Sequence, residues 1–137
     1  MSYAFILLLY LIGLLLFKYL SMFSSLSSLV YLDLSYNQLE NLSDLRDIYN
    51  HPLAYLDVRG NKLSSIEKMI IDLNAFKNLN TLMIADEPLT KNDNPLCNCD
   101  NFWSILFDGL PQIQLIDTYP RKNTTNTFPN KGIFEFN

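Results

Sequence analysis

Two stretches in the middle of the chain share one pattern, and that pattern limits the possible folds more than any other feature. Leu29-x-x-Leu32-x-Leu34-x-x-Asn37-x-Leu39 recurs directly downstream, with identical internal spacing, as Leu53-x-x-Leu56-x-Val58-x-x-Asn61-x-Leu63. The alternation of Leu32 with Leu34, and of Leu56 with Val58, is that of a short strand buried on one side. Such a strand cannot bury its apolar face alone, so successive copies must stack and share a core. A third copy, Leu79-x-x-Leu82-x-Ile84, follows at a slightly longer interval, but Glu87-Pro88 stand where its Asn turn should start. The Asn-Pro arrives only at Asn94-Pro95, behind a polar loop from Ala85 to Asp93.

The segments between the strands carry helical spacing. Leu42, Leu45 and Ile48 follow the first strand, and Pro52 closes that segment. Ser64-x-x-Glu67 has the form of a capping box, and Ile66, Met69, Ile70 and Leu73 then form one apolar stripe. A further helix is expected from about Asn101 to Asp108, capped by Asp100 and ended by Gly109. Leu110-x-x-Ile113-x-Leu115 reads as a fourth, half-length strand. Beyond Asp117 the chain turns polar and loses its period, which predicts a disordered tail over 118–137.

In period and consensus these copies are similar to leucine-rich repeats. From Leu29 to Asp117 the chain resembles the repeat domain of the centrosomal leucine-rich-repeat and coiled-coil proteins. Tyr36-Asn37, Leu53-x-Tyr55-Leu56-Asp57, Asn61-x-x-Ser64-x-Ile66, Phe76-x-Asn78-Leu79, Asp93-Asn94-Pro95-Leu96-Cys97 and Leu110-Pro111-Gln112-Ile113 carry the resemblance. The cap is shared more widely, with phosphatase-regulator repeats and axonemal dynein light chains. The resemblance implies an α/β fold: a short leucine-rich-repeat solenoid, with parallel strands on its concave face, helices or irregular turns on its convex face, and a C-terminal cap. It also implies an unusually long helix after Ile66. Phe102-Trp103 stand where related caps have Tyr-Arg, so an arginine contact of the cap is expected to be missing. The family's earlier repeats and its following coiled coil have no counterpart in this sequence.

Ahead of the repeats, Ala4 to Phe17 is an uninterrupted uncharged apolar run. It reaches the length of a bilayer span only if extended to Phe23, with Lys18 snorkelling to the interface. It predicts a hydrophobic helix over 1–23, either a membrane segment or a signal anchor, ahead of a repeat domain at 24–117. By the positive-inside rule, Lys18 would place that domain in the cytosol; without a true anchor the chain would be cytoplasmic or centrosomal. The N-terminal end of the sheet begins abruptly at Leu29. Either the leader covers it, or its exposed edge invites pairing with other chains.

Chemistry-bearing residues are few. The net charge is −4 and the 10 Lys and Arg are scattered, so no basic stripe exists to meet a phosphate backbone, and nucleic acid is not an expected partner. His51 is the only histidine and precedes Pro52 in a loop, with no ligand partner at metal spacing. Cys97 and Cys99 form a lone C-x-C; the expectation places Cys97 in the cap core and Cys99 near the surface. Asn41-Leu42-Ser43 and Asn123-Thr124-Thr125 are glycosylation sequons that matter only in a lumen. Asp33 and Asp57 stack one repeat apart, but nothing nearby supplies a nucleophile or metal. No catalytic residue, cofactor, metal or small-molecule substrate is expected, and the chain does not read as an enzyme.

The outward strand positions form three rows: Tyr31, Tyr55, Thr81, Gln112; Asp33, Asp57, Met83, Gln114; and Ser35, Arg59, Ala85, Ile116. Aromatic and arginine anchors dominate protein interfaces. The expected partner site is therefore Tyr31, Asp33, Ser35, Tyr55, Asp57, Arg59, Thr81, Met83, Gln112 and Gln114, with Asn37, Asn61 and Asn94 as a structural ladder. The function expected is non-enzymatic protein binding on the concave face, as a fragment of a centrosomal or ciliary scaffold. The alternative is a membrane-tethered or secreted leucine-rich-repeat receptor-like protein. A third reading, from the phosphatase-regulator resemblance, is a regulatory subunit of a bound enzyme.

Overall fold

The structure, a computed structural model, describes Leu7–Leu8, 29–86 and 89–121. Strands β1 (Leu7–Leu8), β2 (Tyr31–Asp33), β3 (Tyr55–Asp57), β4 (Thr81–Met83), β5 (Leu115–Ile116) and β6 (Tyr119–Pro120) form one sheet in sequence order. Pairing is parallel from β1 to β5 and antiparallel between β5 and β6. The connecting segments lie on the sheet's inner side. They are a 3-10 helix at Ser43–Ile48, helix α1 at Ile66–Leu73, a second 3-10 helix at Pro95–Asn98 and helix α2 at Phe102–Gly109.

The register follows from the inward residues. Leu32, Leu56, Leu82 and Ile116 are paired neighbours, and all are almost wholly buried. Leu29, Leu53, Leu79 and Ile113 make a second buried file, and Leu34, Val58 and Ile84 a third. Each such side chain contributes about 2 kcal/mol on burial. A typical hydrogen bond contributes about 1 kcal/mol net, so the apolar files outweigh the ladder bonds and set the register.

What the buried files cannot do is satisfy the turns that leave each strand. Asparagines perform that task. Asn61 is fully buried; its Nδ2 donates to Leu34 O and Val58 O, both at 2.9 Å, and its Oδ1 accepts from Leu39 N at 3.0 Å. Asn94 repeats the arrangement one strand on, donating to Val58 O and Ile84 O at 2.9 Å and accepting from Leu63 N at 3.1 Å. Asn37, half-buried, donates to Leu34 O at 2.9 Å and Ser35 O at 3.2 Å. At the last position an aspartate takes over. Asp117 Oδ1 accepts from Ile84 N at 2.7 Å and Ala85 N at 3.1 Å, while Oδ2 accepts from Trp103 Nε1 at 2.9 Å.

The fold corrects the expectation of a leucine-rich-repeat solenoid led by a hydrophobic helix. The chain forms a small α/β domain with a mixed sheet, and its connecting segments are not copies of one unit. A 3-10 helix, an α-helix and a loop with two short helices succeed one another, and the sheet ends in an antiparallel pair. Nor is α1 the long helix implied by the resemblance. At Leu7–Leu8 the leader is a strand, not a helix. The edge of β2 carries backbone groups that need partners, and pairing Leu7 with Leu32 and Leu8 with Asp33 supplies them. The rest of the predicted segment 1–23 lies outside the described residues. Among those described, no helix is long and apolar enough to cross a membrane.

Smaller corrections have local causes. The α1 cap is Ser65, whose Oγ accepts from Lys68 N at 3.1 Å, one position later than the capping box implied. Helix α2 begins after Asn101, in a left-handed conformation, without a side-chain cap. The expected stripe does face the core: Ile66, Met69 and Leu73 are buried, and Ile70 packs where a Cβ on Gly109 would have to stand, 2.4 Å from its Cδ1. Buried Asp72, on the same helix, accepts from Leu42 N at 3.2 Å and Arg46 Nε at 3.0 Å, tying α1 to the first 3-10 helix.

The tail predicted to be disordered from 118 is ordered as far as Arg121; residues 122–137 lie outside the described set. Arg121 donates from Nε to Ile113 O and from Nη2 to Phe107 O and Leu110 O, each at 2.7 Å, and lies over the Phe107 ring. Its guanidinium meets Phe107 O, which the end of α2 leaves without an intrahelical partner, and two carbonyls of the turn that follows. An arginine does therefore close this end of the domain, although Phe102-Trp103 occupy the expected arginine position.

Two outcomes follow for urea unfolding. Asn61→Leu strands the Leu39 N–H and two strand carbonyls inside and should cost about 3 kcal/mol, whereas Asn37→Leu, half-exposed, should cost about 1 kcal/mol. Equal losses would show that the buried amide has no special role. Arg121→Met keeps the apolar stem and should cost about 2 kcal/mol. An unchanged midpoint would mean that the chain after Asp117 contributes nothing to the fold.

Candidate partner-binding face

One side of the sheet is covered by the helices; the other carries the alternate residues of each strand. On that open side Tyr31 and Tyr55 are register partners, half-buried, with rings stacked 4.2 Å apart and 7° from parallel. Thr81 and then Leu115 continue their row, both half-buried. Asp33, Asp57 and Met83 form the next row.

The structure brings together most of the residues expected on this face, but not all. Tyr31, Asp33, Ser35, Tyr55, Arg59, Thr81 and Met83 are each partly exposed there. Gln112 and Gln114 are not in the rows assigned to them. Thr81 pairs with Leu115, and Gln114 N instead bonds Asn80 O at 2.8 Å, one row earlier. Gln112 Nε2 donates to Leu73 O at 3.2 Å on the helical side. The cause is Leu110, which is fully buried at the end of α2 and so is unavailable as the first residue of the strand pattern; Ile113 takes that place. Ala85 and Ile116, expected outward, are buried.

Asp57 is also buried, with 1% of its surface exposed. Its carboxylate is held by Arg59, with Nη2 to Oδ2 at 2.6 Å and Nε within 3.1 Å of both oxygens. Arg59 Nη1 reaches on to Asp86 Oδ1 at 3.5 Å, and the same carboxylate accepts from Tyr36 Oη at 2.8 and 3.0 Å. Tyr36, Arg59, Asp57 and Asp86 thus make one charged rim along the C-terminal ends of β2 to β4. Tyr36 and Asp86 were not among the sequence-derived site residues. The available clue was that Tyr36, Gly60 and Asp86 hold the same position in three successive copies of the pattern. Gly60 has φ +64°, and a Cβ there would lie 2.3 Å from Cδ1 of Tyr36, so only glycine lets the ring lie flat over this turn.

Asp33 is held differently. Its Oδ1 accepts from Ser35 N at 2.9 Å and Ser35 Oγ at 2.6 Å, and no cation pairs with it among the described residues. Beside the rim rises the polar loop of the third copy. Asp93 accepts from Asp86 N at 2.8 Å and from Thr90 N, which folds the loop back on itself.

The other candidates lie away from this face. His51 lies in a loop, as expected, but is buried, and among the described residues its Nδ1 has no hydrogen-bond partner. Cys97 is buried and Cys99 exposed. Among the described residues no group of three or more His, Cys, Asp or Glu side chains could hold a metal ion.

Comparisons with known proteins add a fold likeness. No protein-family model matches the chain, and no curated protein does. Among solved structures, the Mex67:Mtr2 subunits of Chaetomium are similar, at 21% identity and a TM-score of 0.60, over 81% of this chain and 73% of that one. At that identity the likeness extends to the fold alone. None of these three comparisons supplies a leucine-rich-repeat assignment, and that expectation is corrected accordingly.

Two phenols, Tyr55 on the face and Tyr36 on its rim, are held protonated. Burial first, and then the hydroxyl of Tyr31 and the charge of Asp57, push the Tyr55 phenol well above its ordinary value. The hydrogen bond to Asp86 does the same for Tyr36. The hydrogen-bonded Asp57 carboxylate also raises Arg59 above its ordinary value. A phenol whose folded pKa lies above the unfolded value of about 10 adds stability that is complete below pH 10 and is lost as pH climbs through the folded value. Stability should therefore fall from about pH 10 upward, and less steeply in the double variant Tyr36→Phe, Tyr55→Phe. Identical slopes by urea titration would refute this account of the two hydroxyls.

Proposed function

We propose that the chain is a non-enzymatic protein-interaction module whose partner lies along the open face of the sheet. The observation that carries this reading is the stacked Tyr31–Tyr55 pair, set half-buried in a row that continues through Thr81 and Leu115. Two rings already fixed by stacking lose little side-chain freedom when a partner covers them, which is what makes rigid aromatics effective anchors. Met83 adds an adaptable apolar contact beside them. Asp33 and the Asp86 rim supply polar edges that can fix the direction of a bound segment.

Two further observations favour binding over catalysis. The buried carboxylates of the described residues are engaged in structural roles: Asp57 with Arg59, Asp72 with Arg46, and Asp117 with backbone and Trp103. The solved structure of similar fold is described as a pair of subunits, so a protein that works in an assembly is built on a comparable frame.

Proximity labelling in cells tests the reading. The full chain is compared with a Tyr31→Ser, Tyr55→Ser, Met83→Lys variant, and with Ile71→Lys on the exposed helical side as control. The face variant should lose its leading partners while the control keeps them, with both variants folded by circular dichroism. A partner set common to all three proteins would end the proposal.

A further inference from the structure

The open face has a charge pattern as well as a shape, and together they specify a type of ligand. Three carboxylates, Asp33, Asp57 and Asp86, stand along β2 to β4 and their rim, against one guanidinium, Arg59. Arg59 is already committed to two of them, held by Asp57 and reaching Asp86. Asp33 is left with hydrogen bonds from Ser35 only, on a single oxygen, among the described residues.

The tyrosine row supplies the second element. Tyr31 and Tyr55 stack across neighbouring strands, so each ring turns one face to the other and its second face along the row. Beyond Tyr55 stands Thr81, small and with its hydroxyl turned aside to Asn80 Oδ1 at 2.8 Å; Leu115 stands beyond it. Tyr55 and Leu115 are two strand spacings apart, about 9.5 Å. The short threonine between them leaves a slot walled by an aromatic face on one side and a leucine on the other. A flat cation on an aliphatic stem suits such a slot: the stem lies against Leu115 and Met83, and the guanidinium lies against the ring. Asp33 sits two positions along the strand from Tyr31, on the same face, and offers its open carboxylate to a second basic group.

We infer that the partner is a basic, extended peptide segment, one of whose arginines packs against the outer face of Tyr55 over Thr81 while a neighbouring Lys or Arg pairs with Asp33. This rests on the proposed role of the face and adds the chemistry of its occupant. An acidic segment is excluded by the excess of carboxylates. A purely apolar one would bury Asp33 without a cation, a costly arrangement.

The test uses the full chain as bait for a phage-displayed library of random peptides, followed by fluorescence anisotropy on the retained peptides. Retained peptides should be rich in Arg and Lys. Replacing the key arginine by uncharged citrulline, or Asp33 by Asn, should each weaken binding about fivefold to tenfold, and binding should weaken further with added salt. Asp33→Asn keeps an oxygen for Ser35 and so leaves the strand end intact. Peptides without basic residues that still lose binding in Tyr55→Ser would overturn the basic-segment inference while sparing the face. Peptides indifferent to Tyr55→Ser and Met83→Lys, or no retained peptide at all, would overturn both.

Discussion

The structure depends on satisfying the backbone groups that are buried where each strand turns away from the sheet. Leu39 N, Leu63 N and the carbonyls of Leu34, Val58 and Ile84 lie where water does not reach, and each is met by a side-chain amide from a neighbouring turn. Asn is the residue that can do this, since one short side chain both donates twice and accepts. Because Asn61 bonds carbonyls of two successive strands, it also fixes the spacing between them. The apolar files then have no freedom to slip, and a slip by a single position would turn every leucine to solvent.

From that constraint the open face follows. Once β2, β3 and β4 are aligned, Tyr31 must lie against Tyr55 and Asp33 beside Asp57. Two adjacent carboxylates repel, and the chain resolves this locally by placing Arg59 on Asp57 and Ser35 on Asp33. The arginine then reaches Asp86 and, through it, Tyr36, so a local electrostatic solution becomes a rim that spans three strands. The exposed part of the network lies on the open face, and its buried part carries stability.

The two ends of the sheet are finished by unlike means. At one end β1 pairs with the edge of β2. At the other, β6 turns back on β5, Trp103 bonds Asp117, and Arg121 takes three carbonyls around the end of α2. A long sheet edge would be a template for further strands; the terminal strands among the described residues are each only two residues long, which limits pairing at either edge.

The sequence by itself determined β2 to β4, their mutual register, the helical stripe of Ile66, Met69 and Leu73, and the amides of Asn61 and Asn94. These depend on residues close in sequence whose spacing repeats. It did not determine the start of the last strand, because Leu110-x-x-Ile113 and Ile113-x-x-Ile116 fit the pattern equally well. Only the need for Leu110 beneath the end of α2 decides between them, and with it the displacement of Gln112 and Gln114. Leu7–Leu8 pairs as a strand because an edge of β2 stood open to receive it, a fact that no apolar run can announce. Burial of Asp57, recruitment of Asp86 and Tyr36, and the clamp of Arg121 were likewise decided by tertiary structure. Each depends on a partner that becomes a neighbour only after the chain has folded.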